Sequence, residues 1–211
     1  MGRSAGKRGH VDRWSQWIED ATAFVELVEK EASGVEVVPL GHSFGGVLLT
    51  SAVLSKAITP ERFVLSNPAF RTALKVPGWK LRLGRVASGL LPRLTMSNEL
   101  NPNLISRDPE QVEAYRTDPL VHHYISSRLF TEWMAASEAC LQGAAQVQVP
   151  FLLILGDGDR IIDHSASLEF ERRVTVPHTT KVYPGRFHEP FNDVGAEEVF
   201  SDLADWLASP P

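Results

Sequence analysis

Apolar side chains between residues 14 and 30 fall at Trp14, Trp17, Ile18, Ala21, Phe24, Val25 and Val28. The i, i+3, i+4, i+7 spacing predicts an amphipathic helix, and Asp12 stands where its N-cap belongs. The pattern then changes period. SGVEVVPLG, bounded by Gly34 and Gly41, reads as a short apolar strand over 35–40. FGGVLLTSAVLSKA, all small and apolar at first, reads as a helix. ERFVLSNP reads as a second strand over 62–66 that Asn67-Pro68 stops. VPFLLILG is apolar without alternation, which marks a strand over 150–155 covered on both faces. TTKVYPG supplies a fourth strand over 179–183. AEEVFSDLADWLA closes the chain as a helix with Val199, Phe200, Leu203, Trp206 and Leu207 on one face, ended by Pro210-Pro211.

Residues 70–148 break this rhythm. Prolines and glycines are scattered through them and the apolar periodicity is weaker. From Arg71 to Asn98 there are six basic residues, Arg71, Lys75, Lys80, Arg82, Arg85 and Arg93, and no acidic residue before Glu99. The segment reads as an inserted, mostly helical subdomain between two parts of one core, 1–69 and 149–211. Strands that alternate with helices predict an α/β fold, with a mostly parallel sheet and helices on both faces. Ligands bind such a sheet beyond the carboxyl ends of its strands.

Composition narrows the function classes. The chain has 211 residues, 43% hydrophobic and 22% charged, an ordinary globular balance, and its net charge of −5 argues against a nucleic-acid partner. The lone Cys140 has no second cysteine to pair with and fits a reducing, cytoplasmic setting. No apolar run approaches the roughly 18 residues of a membrane span. The start, MGRSAGKRGHVDRW, has basic residues but no apolar stretch of the signal-peptide kind. The basic tract also contains Trp79, Leu81, Leu83, Leu90 and Leu91. A helix of that kind fits transient contact with an anionic membrane surface, and equally a solvated basic face on an inserted helix.

The chemistry concentrates in three loops. Gly41-His42-Ser43-Phe44-Gly45 is a G-x-S-x-G, a pattern that chance supplies in about 7% of chains of this length. Its context is more specific, because it follows a strand and opens a helix, as a nucleophile elbow requires. Flanking glycines suit so sharp a turn, where side chains would meet neighbouring backbone. Ser43 then stands at a helix N-terminus, which favours developing negative charge. A glycine-rich turn with a capping serine is the alternative. After the third strand, GDGDRIID offers Asp157, Asp159 and Asp163. Asp157 suits a turn with Gly158 and Asp163 suits a helix cap near Ser165, which leaves Asp159 without an evident local task. After the last strand comes YPGRFHEPF, with His188. The order Ser43, Asp159, His188 is that of a serine hydrolase triad. His188 would act as base and then acid, and Asp159 would hold its tautomer. His42 is expected to point away from the nucleophile. His10, His164 and His178 are expected in surface turns, and Cys140 as an inert buried thiol. The adjacent His122-His123 do not share a helix face as metal ligands would.

These residues resemble the serine aminopeptidase-type α/β hydrolases that include bacterial lysophospholipases and monoacylglycerol lipases. GRSAGKRGHV resembles the loop before the helix that precedes the elbow, and GHSFGG the elbow itself. NPNLISRDPEQVEAYRTDPLVH resembles the helical cap, PFLLILGDGDRIID the acid loop with Asp159 at the acid, and YPGRFHEPFND the histidine loop. The resemblance implies an α/β-hydrolase fold with a cap insertion. It implies hydrolysis of acyl glycerides, lysophospholipids or similar esters, with no metal and no organic cofactor. It also implies a longer natural chain. The family carries upstream strands, and an H-G loop whose N–H joins that of Phe44 in the oxyanion hole. By that comparison this chain is N-terminally truncated, and the strand before Ser43 becomes a bare sheet edge. Pro39, which cannot donate to a ladder, is a second departure. A thioesterase or peptidase on the same fold, or a remnant that does not turn over, remains open at this level.

Overall fold

The computed structural model describes residues 2–73, 78–98 and 100–209, with the backbone alone at Lys80. Met1, Lys75 and Pro210-Pro211 lie outside the described residues. In chain order, the elements are α1 (Trp14–Ala32), β1 (Leu40–His42), α2 (Phe44–Leu54) and β2 (Phe63–Ser66), then α3 (Gly78–Leu90), β3 (Thr95–Ser97), α4 (Pro109–Thr117), β4 (Tyr124–Ser126) and α5 (Ser127–Gly143). They close with β5 (Phe151–Gly156), α6 (His164–Arg173), β6 (His178–Tyr183) and α7 (Ala196–Ala208).

The expected four strands form one parallel sheet in the order β1-β2-β5-β6. The register sets Leu40 beside Val64, Phe63 beside Phe151, and Phe151 beside His178. Alternation along each strand then divides the core in two. Phe63, Leu65, Phe151, Leu153 and Leu155 face a layer built from α1, α2, α5 and α6, including Val47, Val53, Cys140 and Phe170. Val64, Leu152 and Ile154 face the other way, onto Val199, Leu203 and Trp206 of α7. Each of the fully buried leucine and phenylalanine side chains contributes roughly 1.5–3 kcal/mol by leaving water. Arg62, 7% exposed, ties the end of α7 to the sheet by donating to the carbonyls of Trp206, Leu207 and Ser209 and to both oxygens of Glu36.

Three expectations need correction. The first strand begins at Leu40, not at residue 35. It lies at an edge, with β2 as its single neighbour among the described residues. Pro39 offers its carbonyl to Val64 N–H at 2.9 Å but has no N–H of its own. With no ladder beyond it, Val35 is 72% exposed and Leu40 45%. The apolar face of α1 is covered along most of its length, with Trp17, Ile18, Ala21, Val25 and Val28 half-buried, and departs from expectation at Phe24. Trp14 is buried, while Phe24 is 66% exposed, on the side where no strand lies beyond β1 among the described residues. Asp12 does not cap α1. Arg13 is the N-cap residue, and Gln16 Oε1 accepts from the N–H groups of Asp12 and Arg13 at 3.2 and 3.1 Å.

Within 70–148, α3 packs against α5, and a two-stranded antiparallel pair, β3 with β4, joins the helices. Short-range periodicity could not reveal strands of three residues. α5 is also a wall of the main core, through Ala136, Cys140 and Leu141. Arg71 leaves the basic tract functionally, because it pairs with Glu169 at 3.0 Å and Asp163 at 3.7 Å on the core side.

Candidate active site

The site is assembled at the carboxyl ends of β1, β2, β5 and β6. β1 runs straight into Ser43, whose φ of 52° and ψ of −120° are unusual for a residue with a side chain. The turn is held from three sides. Ser43 N–H donates to Ser66 O, and Ser43 O accepts from Gly46 N–H and Ala69 N–H, all at 2.9 Å. The glycine requirement falls on Gly41 and Gly46. A Cβ at Gly41 would stand 2.6 Å from Gly45 O, and one at Gly46 would stand 2.7 Å from Pro68 Cβ. Gly45, expected to be constrained, faces open space because it lies on the outer side of the first turn of α2.

Ser43, Asp159 and His188, 145 residues apart in sequence at the extreme, meet here. His188 Nε2 lies 2.8 Å from Ser43 Oγ, and His188 Nδ1 lies 2.7 Å from Asp159 Oδ2. The carboxylate fixes the tautomer: Nδ1 carries the proton and donates it to Asp159, so Nε2 is free to accept from the hydroxyl. Burial pushes the Asp159 carboxyl up. The hydrogen bond and charge of His188, with the N–H groups of Ile162 and Ile161, outweigh that and hold it below the usual range. The acid therefore stays ionised beside the imidazole. A hydroxyl, a base and a buried anion in line can transfer a proton from the hydroxyl as it attacks an electrophile. Phe44 begins α2 beside Ser43, and the first N–H groups of a helix have no intrahelical acceptor. Its ring is wedged between Trp14, Trp17 and Trp133, at centroid distances of 5.2, 5.6 and 6.2 Å.

The other candidate acids have local tasks. Asp157 accepts from Gly185 N–H, and Asp163 caps α6 by accepting from Ser165 N–H at 3.0 Å. His42 packs beside the histidine loop. Its ring lies 4.9 Å from that of His188, with Nδ1 3.1 Å from Ser66 O. Burial, then the nearby His188 charge, lowers its pKa to about 3, so it stands as a neutral wall. His10 is not in a surface turn: it bridges Ser126 Oγ at 2.9 Å and Asp12 at 3.1 Å. His178 sits in β6, stacked on Phe151. Cys140 is buried, and its thiol is pushed up to about 11 by desolvation. Among the described residues no group of three or more His, Cys, Asp or Glu side chains could hold a metal ion.

Two features of the site escape sequence reasoning. The histidine loop lies directly on the end of β5. A Cβ at Gly156 would stand 2.5 Å from both Arg186 O and Phe187 O. Asp193, buried, staples that loop to the inserted segment. It accepts from Phe187 N–H at 2.8 Å, Arg107 N–H at 2.7 Å and Arg107 Nε at 2.9 Å, while Glu189 N–H donates to Ile105 O at 2.8 Å. The only sequence signal for Asp193 is its place five residues after His188, before the last helix.

Comparison with known proteins agrees with this architecture. The family model described as serine aminopeptidase, S33, matches residues 1–195. A monoacylglycerol lipase from Mycolicibacterium smegmatis is 32% identical over 210 residues, which span 99% of this chain and 75% of that protein. An abhydrolase domain-containing protein from Dictyostelium discoideum is 34% identical over 209 residues, spanning 98% of this chain and 22% of that much longer protein. A solved structure, the monoacylglycerol lipase of Paleococcus ferrophilus, superposes with a TM-score of 0.87 at 31% identity, covering 100% of this chain and 80% of that one. With the match running from the loop before α1 to the histidine loop, the chain belongs to the serine aminopeptidase S33 family of α/β hydrolases.

Proposed function

We propose that this protein is a serine hydrolase of carboxylic esters, acting on monoacylglycerols or lysophospholipids. The observation that carries the reading is the hydrogen-bonded line Ser43–His188–Asp159 at the strand ends. It is supported by relatives that include monoacylglycerol lipases and a lysophospholipase. His188 Nε2 takes the Ser43 proton as Oγ bonds to the acyl carbonyl carbon. The resulting oxyanion is stabilised by Phe44 N–H and the N-terminal end of α2. Collapse breaks the ester bond, His188 returns the proton to the departing alcohol oxygen, and an acyl-enzyme remains on Ser43. Water, deprotonated by His188, then attacks the same carbon, and the fatty acid leaves as Ser43 recovers its proton. No step calls on a metal or an organic cofactor.

A fluorophosphonate probe is expected to label the wild-type chain at Ser43, and Ser43→Ala to abolish labelling. Labelling that persists in Ser43→Ala refutes the assignment. Turnover of monoacylglycerol against lysophospholipid, with a thioester as control, then sorts the substrate class.

We further read 70–148 as a helical cap whose last helix, α5, doubles as a wall of the core, and α3 as its membrane-facing element. Trp79, Leu83, Val86 and Leu90, at i, i+4, i+7 and i+11, are 65, 60, 57 and 77% exposed, flanked by exposed Arg82 and Arg85. Such a helix lies flat on an anionic surface. The wild-type chain is expected to co-sediment with phosphatidylglycerol vesicles and Leu83→Asp to stay in solution; equal partitioning of the two ends this reading. The lone buried thiol supports a reducing, cytoplasmic setting, and among the described residues no helix is long and apolar enough to cross a membrane.

A further inference from the structure

Asn67 follows β2 and reads in the sequence only as a strand stop before Pro68. Its backbone has a φ of 38°, in the left-handed region that Asn tolerates better than other residues with side chains. Its side chain is 1% exposed and every polar atom of it is used. Oδ1 accepts from Gly156 N–H at 2.8 Å. Nδ2 donates to Asp159 Oδ2 at 2.7 Å, with a longer approach to Phe187 O at 3.4 Å. The amide orientation is fixed by these partners, since only the oxygen can receive an N–H and only the nitrogen can serve a carboxylate. Its own N–H donates to Ile154 O at 2.9 Å. One residue therefore joins the ends of β2 and β5, the acid loop and the histidine loop.

The consequence for Asp159 is a full complement of donors. Oδ1 accepts from Ile161 N–H at 2.8 Å and Ile162 N–H at 3.0 Å, and Oδ2 accepts from Asn67 Nδ2 and His188 Nδ1, each at 2.7 Å. A carboxylate offers about four acceptor sites, so none remains for water and the group cannot rotate without losing a bond. The oxygen that orients His188 is itself held by Asn67. Without that donor, His188 is the one partner of Oδ2 among the described residues, and only the two N–H groups on Oδ1 still set the direction of the carboxylate independently of the imidazole.

We propose that Asn67 is a positioning residue, whose side-chain amide aims the Asp159 carboxylate and through it the His188 tautomer. The role rests on the reading of Ser43, His188 and Asp159 as an acyl-transfer site. It belongs to the polar chemistry of the side chain, while the left-handed backbone explains why Asn, rather than Gln or Ser, supplies it.

Two variants of the full chain separate the side chain from the backbone. Asn67→Gly keeps the left-handed φ and removes the amide. Asn67→Asp keeps the shape and the acceptor for Gly156, and replaces the donor with an oxygen facing Asp159. Three readouts are taken: fluorophosphonate labelling of Ser43, kcat and KM on a p-nitrophenyl ester, and the downfield proton resonance of the His188 Nδ1–H bond to Asp159. Wild type is expected to label and to show that resonance. Both folded variants are expected to label about 10- to 100-fold more slowly, the loss a charged hydrogen bond predicts. The loss should appear in kcat with KM little changed, and the resonance should move or broaden. Folded variants that label at the wild-type rate with an unmoved resonance overturn the proposal, and so does failure of both variants to fold, which makes Asn67 structural alone. If only one variant folds, that one decides. If wild type itself does not label, the acyl-transfer reading fails separately, and the resonance in Asn67→Asp decides whether Asn67 positions the pair.

Discussion

His42 shows how one side chain can line the candidate site and stay neutral there. Its ring packs against His188, and its pKa falls from 6.5 to about 3. The sign of the consequence follows from linkage. Below pH 6.5 the unfolded chain takes up a proton at this position that the folded chain refuses, so its contribution to stability is present above pH 6.5 and is lost as pH falls toward 3. His42→Asn keeps a hydrogen-bond donor for Ser66 and removes the titration. Denaturant unfolding at pH 7.5, 6.5, 5.5 and 4.5 is expected to show the variant losing less stability than wild type below pH 6.5, by up to about 1.4 kcal/mol per pH unit. Parallel curves would sink the idea. At the same scale, Ser43, His188 and Asp159 were each legible from residue type and place after a strand. Asn67 and Asp193 were not, because each is tied to a partner remote in the chain: Asp159 for one, Arg107 for the other.

At the scale of the element, the elbow separates glycines that the motif treats alike. Gly46 abuts Pro68 and Gly45 abuts nothing. Gly46→Ala is expected to destabilise by about 1–3 kcal/mol through overpacking. Gly45→Ala, within the first turn of α2, is expected to be neutral or to stabilise by up to about 1 kcal/mol through helix propensity. Urea unfolding of the two variants tests the distinction, and equal effects would refute it. β2, β5 and the edge strand β6 were each read to within one residue at either end. β5, covered on both faces, fell within one residue of its apolar run. β1 was read too long, because apolar residues alone do not make a strand: the ladder with β2 begins at Leu40, and Pro39 has no N–H to donate to it. The paired β3 and β4 were missed for the opposite reason, since three-residue strands are specified by their partner and not by their own pattern.

Across the whole molecule, residues 70–148 are tied to the last part of the chain beside His188. Asp193 receives Phe187 N–H from the histidine loop and Arg107 from the insertion. Asp193→Ala removes the acceptor that ties those donors together, so Ser43 labelling is expected to slow at least about tenfold and unfolding to occur at lower denaturant. Labelling and stability equal to wild type would show that the staple is idle. The linear pattern of apolar positions and turn residues determined the α/β class, four parallel strands, the three loops that bring Ser43, Asp159 and His188 together, and their order. These follow from local rules, in which a strand, a sharp turn and a helix cap are each written in a few neighbouring residues. The tertiary structure alone decided which glycines are crowded, that His42 packs beside His188, that Asn67 and Asp193 hold the acid and histidine loops, and where β1 begins. Those are properties of surfaces that meet only after folding. No local window of the chain contains both sides of such a contact.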